Sequence, residues 1–236
     1  MTEIRFNDFD KTDYLTVYKW MQDERKKIVL NQSSESINFV EHSSTLTLGT
    51  NAEIKNVLIN DIQREALNIE LVHVDRGGDV TCHNEGQLVV YPMLNLRKRN
   101  LKPVEYVRML ENALINILKK YNISGVQKPG KPGIWVENNK IASIGISIKR
   151  GITSHGIALN INNDLSIFEY INTCGMEDLE VTSMKKILNK NIDISQIKLA
   201  MIKEFQLLLK LQKQNDNNEE ILLKQIELKK TLARSK

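Results

Sequence analysis

Two side chains in this sequence could share nucleophilic chemistry. Cys174 lies in Ile171-Asn172-Thr173-Cys174-Gly175, and Lys140 opens the apolar run Ile141-Ala142-Ser143-Ile144-Gly145-Ile146. A Cys before Gly can sit at a sharp turn with an accessible sulfur. At neutral pH its thiol stays mostly protonated unless a cation, a helix N-terminus or a base favours the thiolate. Partial burial of a lysine at a strand start would draw its ammonium pKa toward neutrality and suit it to proton transfer. The plain alternatives are a small buried Cys and a surface charge at a strand end; these residues alone do not choose between the readings.

Arg76-Gly77-Gly78 offers a second kind of chemistry, because paired glycines bring backbone N–H groups close to a ligand that a Cβ would hold away. An ordinary tight turn accounts for the same triplet. His83 could hydrogen-bond a polar substrate group or serve structure alone. Cys82 and His83 are adjacent and would point to opposite faces of a strand, and no His or Cys pair recurs at ligand spacing, so no metal is expected.

The elements that must position these residues follow from periodicity. An edge strand is predicted over residues 4–9, then a helix carrying Tyr14, Tyr18, Met21 and Ile28 at helical spacing. Strands are predicted at 37–50, 69–74 and 86–91, then an amphipathic helix marked by Val107, Leu110, Leu114, Ile117 and Tyr121. Strands resume near 133–136, 140–148 and 156–160, the first two joined tightly through Glu137-Asn138-Asn139, and a short helix is placed at 165–170. No regular βαβ alternation appears. The fold class predicted is therefore α+β (mixed α/β), a mixed β-sheet flanked by helices.

Length and charge set the outer limits. The 236 residues suffice for one large domain with a modest appendage, and 41% hydrophobic against 26% charged residues describes a globular chain. The longest run free of charged residues is thirteen, Gly151 to Asn163, too short for a bilayer span of roughly 20 apolar residues. Met1-Thr2-Glu3-Ile4-Arg5 has no basic region leading into an apolar stretch, so no secretory signal is expected, and a cytoplasmic location with free thiols follows. The formal net charge is +4, but residues 185–236 hold 12 Lys/Arg and 6 Asp/Glu, a net of +6, which leaves −2 for the first 184. That distribution argues against a nucleic-acid-binding main domain. The domains predicted are a catalytic unit over 1–190 and a basic helical extension over 191–236, with helices around Ile197, Met201, Phe205 and Leu208 and again at 221–232, separated by the polar stretch 212–220.

The string Arg76-Gly77-Gly78-Asp79-Val80-Thr81-Cys82-His83-Asn84-Glu85-Gly86-Gln87-Leu88 resembles the Arg-Gly-Gly-x-x-Thr-Tyr-His-Gly-Pro-Gly-Gln-Leu signature of the lipoyl(octanoyl) transferase family. Later blocks keep the family's order: Pro132-Gly133-Ile134-Trp135-Val136, Lys140-Ile141-Ala142-Ser143-Ile144-Gly145, His155-Gly156-Ile157-Ala158-Leu159-Asn160, Asn172-Thr173-Cys174-Gly175 and Val181-Thr182-Ser183. The resemblance runs roughly from Ile4 to Leu188 and leaves the C-terminal extension unexplained. It implies a catalytic domain like that of biotin and lipoate protein ligases. It also implies an octanoyl, or lipoyl, group taken from octanoyl-acyl carrier protein as a thioester on Cys174 and passed to a lysine of a lipoyl domain. That acceptor would belong to a 2-oxoacid dehydrogenase complex or to the glycine cleavage H protein.

On the same resemblance Lys140 lowers the thiol pKa and acts as acid/base partner. Arg76, Gly77, Gly78, Asp79, Val80, Thr81, Cys82 and His83, with Ser143, Ile144, Gly145, Gly156, Ile157 and Ala158, line the substrate site, and no cofactor is implied. The chain departs from the signature in two places. Cys82 replaces a Tyr, removing a phenol expected near the pocket, and Asn84-Glu85 replaces Gly-Pro. The competing enzyme is an ATP-dependent lipoate or biotin protein ligase, which activates its acid as an adenylate and needs no nucleophilic Cys; a non-enzymatic carrier-binding module is the other alternative. The presence of both Lys140 and Cys174 favours the transferase.

Overall fold

The computed structural model describes residues 4–172 and 180–210. Strand β1 (Arg5–Lys11) leads into helix α1 (Tyr14–Val29), which begins where the Asp13 carboxylate accepts from the Thr16 N–H at 2.8 Å. One face of α1 buries Tyr14, Val17, Met21 and Ile28. The predicted strand over 37–50 is two strands in two different sheets, β2 (Ser36–Glu41) and β3 (Thr45–Leu48). They part at His42, whose Nδ1 bonds to the Thr12 carbonyl at 2.8 Å. Helix α2 (Asp61–Ala66), which periodicity missed, is a short capped turn with no buried residue, so it carries no apolar stripe to detect.

Strands β4 (Glu70–His73) and β5 (Val80–His83) flank β3 in a three-stranded sheet ordered β4-β3-β5. The larger sheet continues with β6 (Gln87–Met93), helix α3 (Pro103–Lys119), β7 (Val126–Lys128), β8 (Lys131–Val136), β9 (Asn139–Lys149) and β10 (Ile152–Asn160). Its order is β1-β2-β6-β10-β9-β8-β7, with β1 parallel to β2 and the other pairs antiparallel. Two tight hairpins bound β9. Val136 pairs Asn139 across Glu137-Asn138, and Lys149 pairs Ile152 across Arg150-Gly151, both of which have positive φ as the twist of a two-residue hairpin requires.

The two faces of the large sheet are covered by different helices. Helix α1 packs Val17, Met21 and Ile28 on Val89, Tyr91, Met93 and Ala158. The other face buries Leu88, Val90, Ile157 and Leu159 against α3, where Pro103 opens the helix and Tyr106, Leu110, Leu114 and Ile117 face inward. Each such side chain contributes roughly 1.5–3 kcal/mol by leaving water. The helix predicted at 165–170 is a 3-10 turn, Ser166–Tyr170, and α4 (Met184–Leu188) is capped by the Ser183 hydroxyl.

Residues 194–210 form helix α5, and its Ile197, Met201, Phe205 and Leu209 belong to the same core as α3 and the sheet. Lys198 adds an ion pair to Asp8 at 2.8 Å. The packed body thus continues through residue 210, while the polar stretch at 212–220 and the helix predicted at 221–232 lie outside the described residues. Among the described residues no helix is long and apolar enough to cross a membrane.

Candidate active site

A break in strand register turns Lys140 toward the site. Ile134 of β8 pairs with Ala142 of β9, yet its neighbour Trp135 pairs with Lys140, so Ile141 is the extra residue of a β-bulge. In regular alternation Lys140 would share a face with Ala142 and Ile144, which pack toward α3; beyond the bulge it shares the face of Ser143 and Gly145. Its ammonium sits 5.6 Å from the Trp135 ring centroid. The main chain at Lys140 is held on its other side too. Its N–H donates to the Glu180 carbonyl at 2.9 Å, and its carbonyl accepts from Thr182 at 3.0 Å.

A second departure from strand geometry lies at His155, on β10. Its neighbours of like parity, Ile157 and Leu159, point to the α3 core, but His155 has φ +55° and its ring lies on the opposite face. There Nε2 bonds Asp75 Oδ1 at 2.8 Å, and the ring centroid is 5.7 Å from that of Tyr18 and 6.1 Å from that of Tyr91. A left-handed His inside a strand costs roughly 1–3 kcal/mol and persists only where its surroundings impose it. Asp75 supplies that imposition, since it also accepts from Lys149 at 2.6 Å, Arg25 at 3.1 Å and Ser147 at 3.2 Å.

Between the two sheets lies a pocket that is partly open to solvent. Arg76, Gly77, Gly78 and Asp79 form its rim loop, and Val80, Thr81 and His83 of β5 form one wall. Ser143, Ile144 and Gly145 of β9, with Gly156, Ile157 and Ala158 of β10, line it from the large sheet, and Lys140 lies beside them. The loop is seated on β9 by the Gly77 N–H, which donates to the Ile146 carbonyl at 2.9 Å and so offers no bond to a ligand. Gly145 leaves room for Arg76: a Cβ there would stand 3.0 Å from the arginine Cδ. The Arg76 guanidinium reaches across to the Thr47 carbonyl at 2.7 Å, tying the rim to the small sheet.

Cys82 does not line the pocket. It faces the other way on β5, fully buried among Leu46, Leu48 and Val80, and burial raises its thiol pKa well above the ordinary value. The exchange of Tyr for Cys therefore alters the core of the small sheet, and the expectation that it removes a phenol near the pocket is corrected by strand alternation. Asn84 braces a loop through the Asp164 carbonyl at 2.7 Å, and Glu85 pairs with Lys11 at 2.6 Å on the surface. Asp79 is committed to structure as well, accepting from Asn56 at 2.5 Å and from the Val80 N–H at 2.7 Å. Cys174 lies outside the described residues.

Burial disfavours the charged form of the buried histidines of this region. Burial lowers the His42 pKa to about 4, and burial together with the neighbouring His42 lowers that of His83 to about 3. His83 Nδ1 lies 2.7 Å from Gln87 Oε1, and the Gln87 amide nitrogen is spent on Asn160 at 3.0 Å and on the Cys82 carbonyl at 3.3 Å. Burial would raise the Asp75 pKa, but hydrogen bonds from His155 and Lys149 outweigh it and hold the carboxyl well below the usual range.

The family model of the lipoyl protein ligase A/B catalytic domain matches residues 13–206, a range that holds the pocket, Lys140 and the Arg-Gly-Gly rim. The chain belongs to this family. Among its relatives, an octanoyltransferase of Pelobacter propionicus is 34% identical over 203 residues, covering 86% of this chain and 94% of its own. An octanoyltransferase of Bacteroides thetaiotaomicron is 40% identical over 179 residues, covering 74% and 79% respectively. Solved structures show the fold. Lipoate-protein ligase A bound with ATP superposes with a TM-score of 0.69 at 16% identity, covering 89% of this chain and 86% of that one. The bipartite lipoate protein ligase of Thermoplasma acidophilum gives 0.68 at 15% identity, covering 89% and 85%.

For this member of the ligase A/B family, sequence reasoning left out Tyr14, Val89, Tyr91, Pro132 and His155, all of which line the pocket. Tyr14, Val89 and Tyr91 read as ordinary apolar positions of a helix and a strand. His155 stood inside a quoted block without a role; its one available signal was a lone imidazole in an otherwise apolar strand.

Proposed function

We propose that this chain performs octanoyl transfer through an acyl thioester on Cys174, with Lys140 as the acid/base partner. Octanoyl transfer in protein lipoylation, an acyltransferase reaction between an acyl donor and a lipoyl domain, is the activity of the family branch to which its relatives belong. In the reading offered here Cys174 and Lys140 rest as thiolate and ammonium, the thiol proton held by Lys140, and the Cys174 sulfur attacks the carbonyl of octanoyl-acyl carrier protein. The carrier's C–S bond breaks and its sulfur leaves with the proton held by Lys140. In the second half-reaction the lysine amine of a lipoyl domain, in a 2-oxoacid dehydrogenase complex or the glycine cleavage H protein, attacks the acyl-Cys174 carbonyl. An amide forms, the Cys174 C–S bond breaks, and the amine's proton passes through Lys140 to the sulfur. Thioester exchange is nearly isoenergetic and amide formation runs downhill, so no nucleotide is consumed, and the site's task is to favour the charge that develops in the transition state. A cytoplasmic setting, where thiols stay reduced, suits the chemistry.

The observation that carries this reading is the β-bulge at Ile141, which turns Lys140 out of the α3 core and onto the pocket floor. The test is intact-mass spectrometry after mixing the protein with octanoyl-acyl carrier protein and no nucleotide. Wild type gains one octanoyl group and Cys174→Ser gains none. Equal transfer by the two proteins would remove the nucleophile, and a strict requirement for ATP would favour the ligase reading.

A further inference from the structure

The two sheets are joined at the segment Val74-Asp75-Arg76-Gly77. The small sheet has an apolar core of its own, built around Leu46, Leu48, Val80 and Cys82 and separate from the cores on the two faces of the large sheet. A small cluster of Tyr14, Val72 and Val74 spans the gap. The next two side chains diverge. Asp75 turns to the large sheet, accepting from His155 of β10 at 2.8 Å, from Lys149 and Ser147 of β9 at 2.6 and 3.2 Å, and from Arg25 of α1 at 3.1 Å. Arg76 turns to the small sheet and donates to the Thr47 carbonyl at 2.7 Å and to the Thr47 hydroxyl at 2.9 Å. The main chain is fixed on both sides as well: the Arg76 carbonyl accepts from the Thr50 N–H at 2.9 Å, and the Gly77 N–H donates to the Ile146 carbonyl at 2.9 Å.

We propose that Asp75 is a positioning residue for acyl transfer: with Arg76 it clasps the rim loop between the two sheets and so holds the pocket in the shape that binds the donor's acyl group. The role in transfer rests on the acyl-transfer reading above, whereas the clasp itself does not. Stability is a poor reason for such an arrangement. A carboxylate taken out of water among several polar partners gains little over apolar packing, and its use is to specify one geometry. His155 is likewise held against its own backbone preference, a left-handed residue in a strand, and the ring so aimed is the one that bonds Asp75. Asp75 does not line the pocket, but Arg76, Gly77, Gly78 and Asp79 after it and its partner His155 do, so it acts through them. A loosened rim weakens the hold on the acyl group before the covalent bond forms and matters less once the chain is tethered to Cys174. The defect expected is therefore one of donor binding in the loading step.

The experiment uses the full chain as wild type, Asp75→Asn, His155→Ala, the double variant and Lys149→Ala. Hydrogen exchange read by mass spectrometry follows the rim, residues 74–80, with no donor present. Single-turnover loading read by intact mass gives the half-saturating concentration of octanoyl-acyl carrier protein and the maximal rate. Asp75→Asn speeds exchange at the rim about tenfold and raises the half-saturating donor concentration about tenfold, while the maximal loading rate and the release of octanoyl from preloaded protein to a lipoyl domain stay within about threefold of wild type. His155→Ala speeds rim exchange in the same way, and the double variant adds nothing to Asp75→Asn, as expected of groups that act as one unit. Lys149→Ala, on the exposed side of the cluster, gives a smaller rise of the same kind and decides the matter even where Asp75→Asn fails to fold. A lowered urea midpoint with rim exchange and loading constants unchanged overturns the proposal, as do additive effects in the double variant. Wild type that takes no acyl group overturns the acyl-transfer reading and with it the part of Asp75 in transfer, a result distinct from variants that load as wild type does.

Discussion

Lys140 stands opposite Trp135 at the point where β9 carries one residue more than β8, and the ammonium lies 5.6 Å from the indole centroid. Both residues are buried, and beyond the bulge Lys140 shares the pocket face of β9. Lys140→Ala is expected to slow acyl loading and acyl release alike by about 10²–10⁴-fold, the usual contribution of a positioned acid/base group. Circular dichroism should show the fold retained. Half-reactions affected unequally by more than tenfold would restrict the lysine to one step.

Gly133 clears the path of the Lys140 side chain. Its φ is +116°, and a Cβ placed there would stand 2.6 Å from Lys140 Cε and still closer to the Ala142 carbonyl oxygen. Gly133→Ala therefore strains the backbone and displaces the amine at once. Stability should fall by about 1–3 kcal/mol in urea titrations, and acyl loading should fall with it. A variant of wild-type activity would show that the lysine tolerates displacement.

Acid should destabilise the fold before carboxylates of ordinary pKa protonate. His42 and His83 are buried neutral with pKa values of about 4 and about 3, whereas in the unfolded chain both return to about 6.5. Between those limits the unfolded state binds more protons than the folded one. Their contribution is thus complete above about pH 6.5 and is lost as pH falls toward 4 and then 3. Urea midpoints taken from pH 7 to pH 4 should decline by the equivalent of about 1–3 kcal/mol per pH unit. A flat profile over that range would mean that these rings protonate without unfolding the chain.

Phe205 tests where the folded unit ends. It is fully buried on α5 in the core shared by α3 and the sheet. Phe205→Ala should cost about 3–5 kcal/mol, as truncations of core aromatics do, read as a lowered midpoint of a single cooperative transition. A loss below about 1 kcal/mol would make α5 a separable attachment.

Much of this molecule was legible from the order of its residues. The spacing of apolar residues located α1, α3 and the strands β4, β6, β8, β9 and β10, because period and capping are local properties that neighbouring residues enforce. The signature blocks named Lys140 and the rim from Arg76 to His83 in their order along the chain. What sequence could not reach was facing. Lys140 and His155 each occupy a strand position that alternation assigns to the α3 core, and each reaches the pocket face through an exception, an inserted residue at Ile141 and a left-handed φ at His155. Cys82 is the reverse case, adjacent to pocket residues in sequence and turned from them in space. The run from 37 to 50 likewise reads as one strand and divides between two sheets at His42. Left-handed residues and changes of sheet are imposed by partners distant in sequence, as Asp75 holds His155, and the main chain of the bulged Lys140 is held by Glu180 and Thr182. Only the assembled sheets bring those partners within reach, so the sequence determines which groups are available and the tertiary structure decides which way they face.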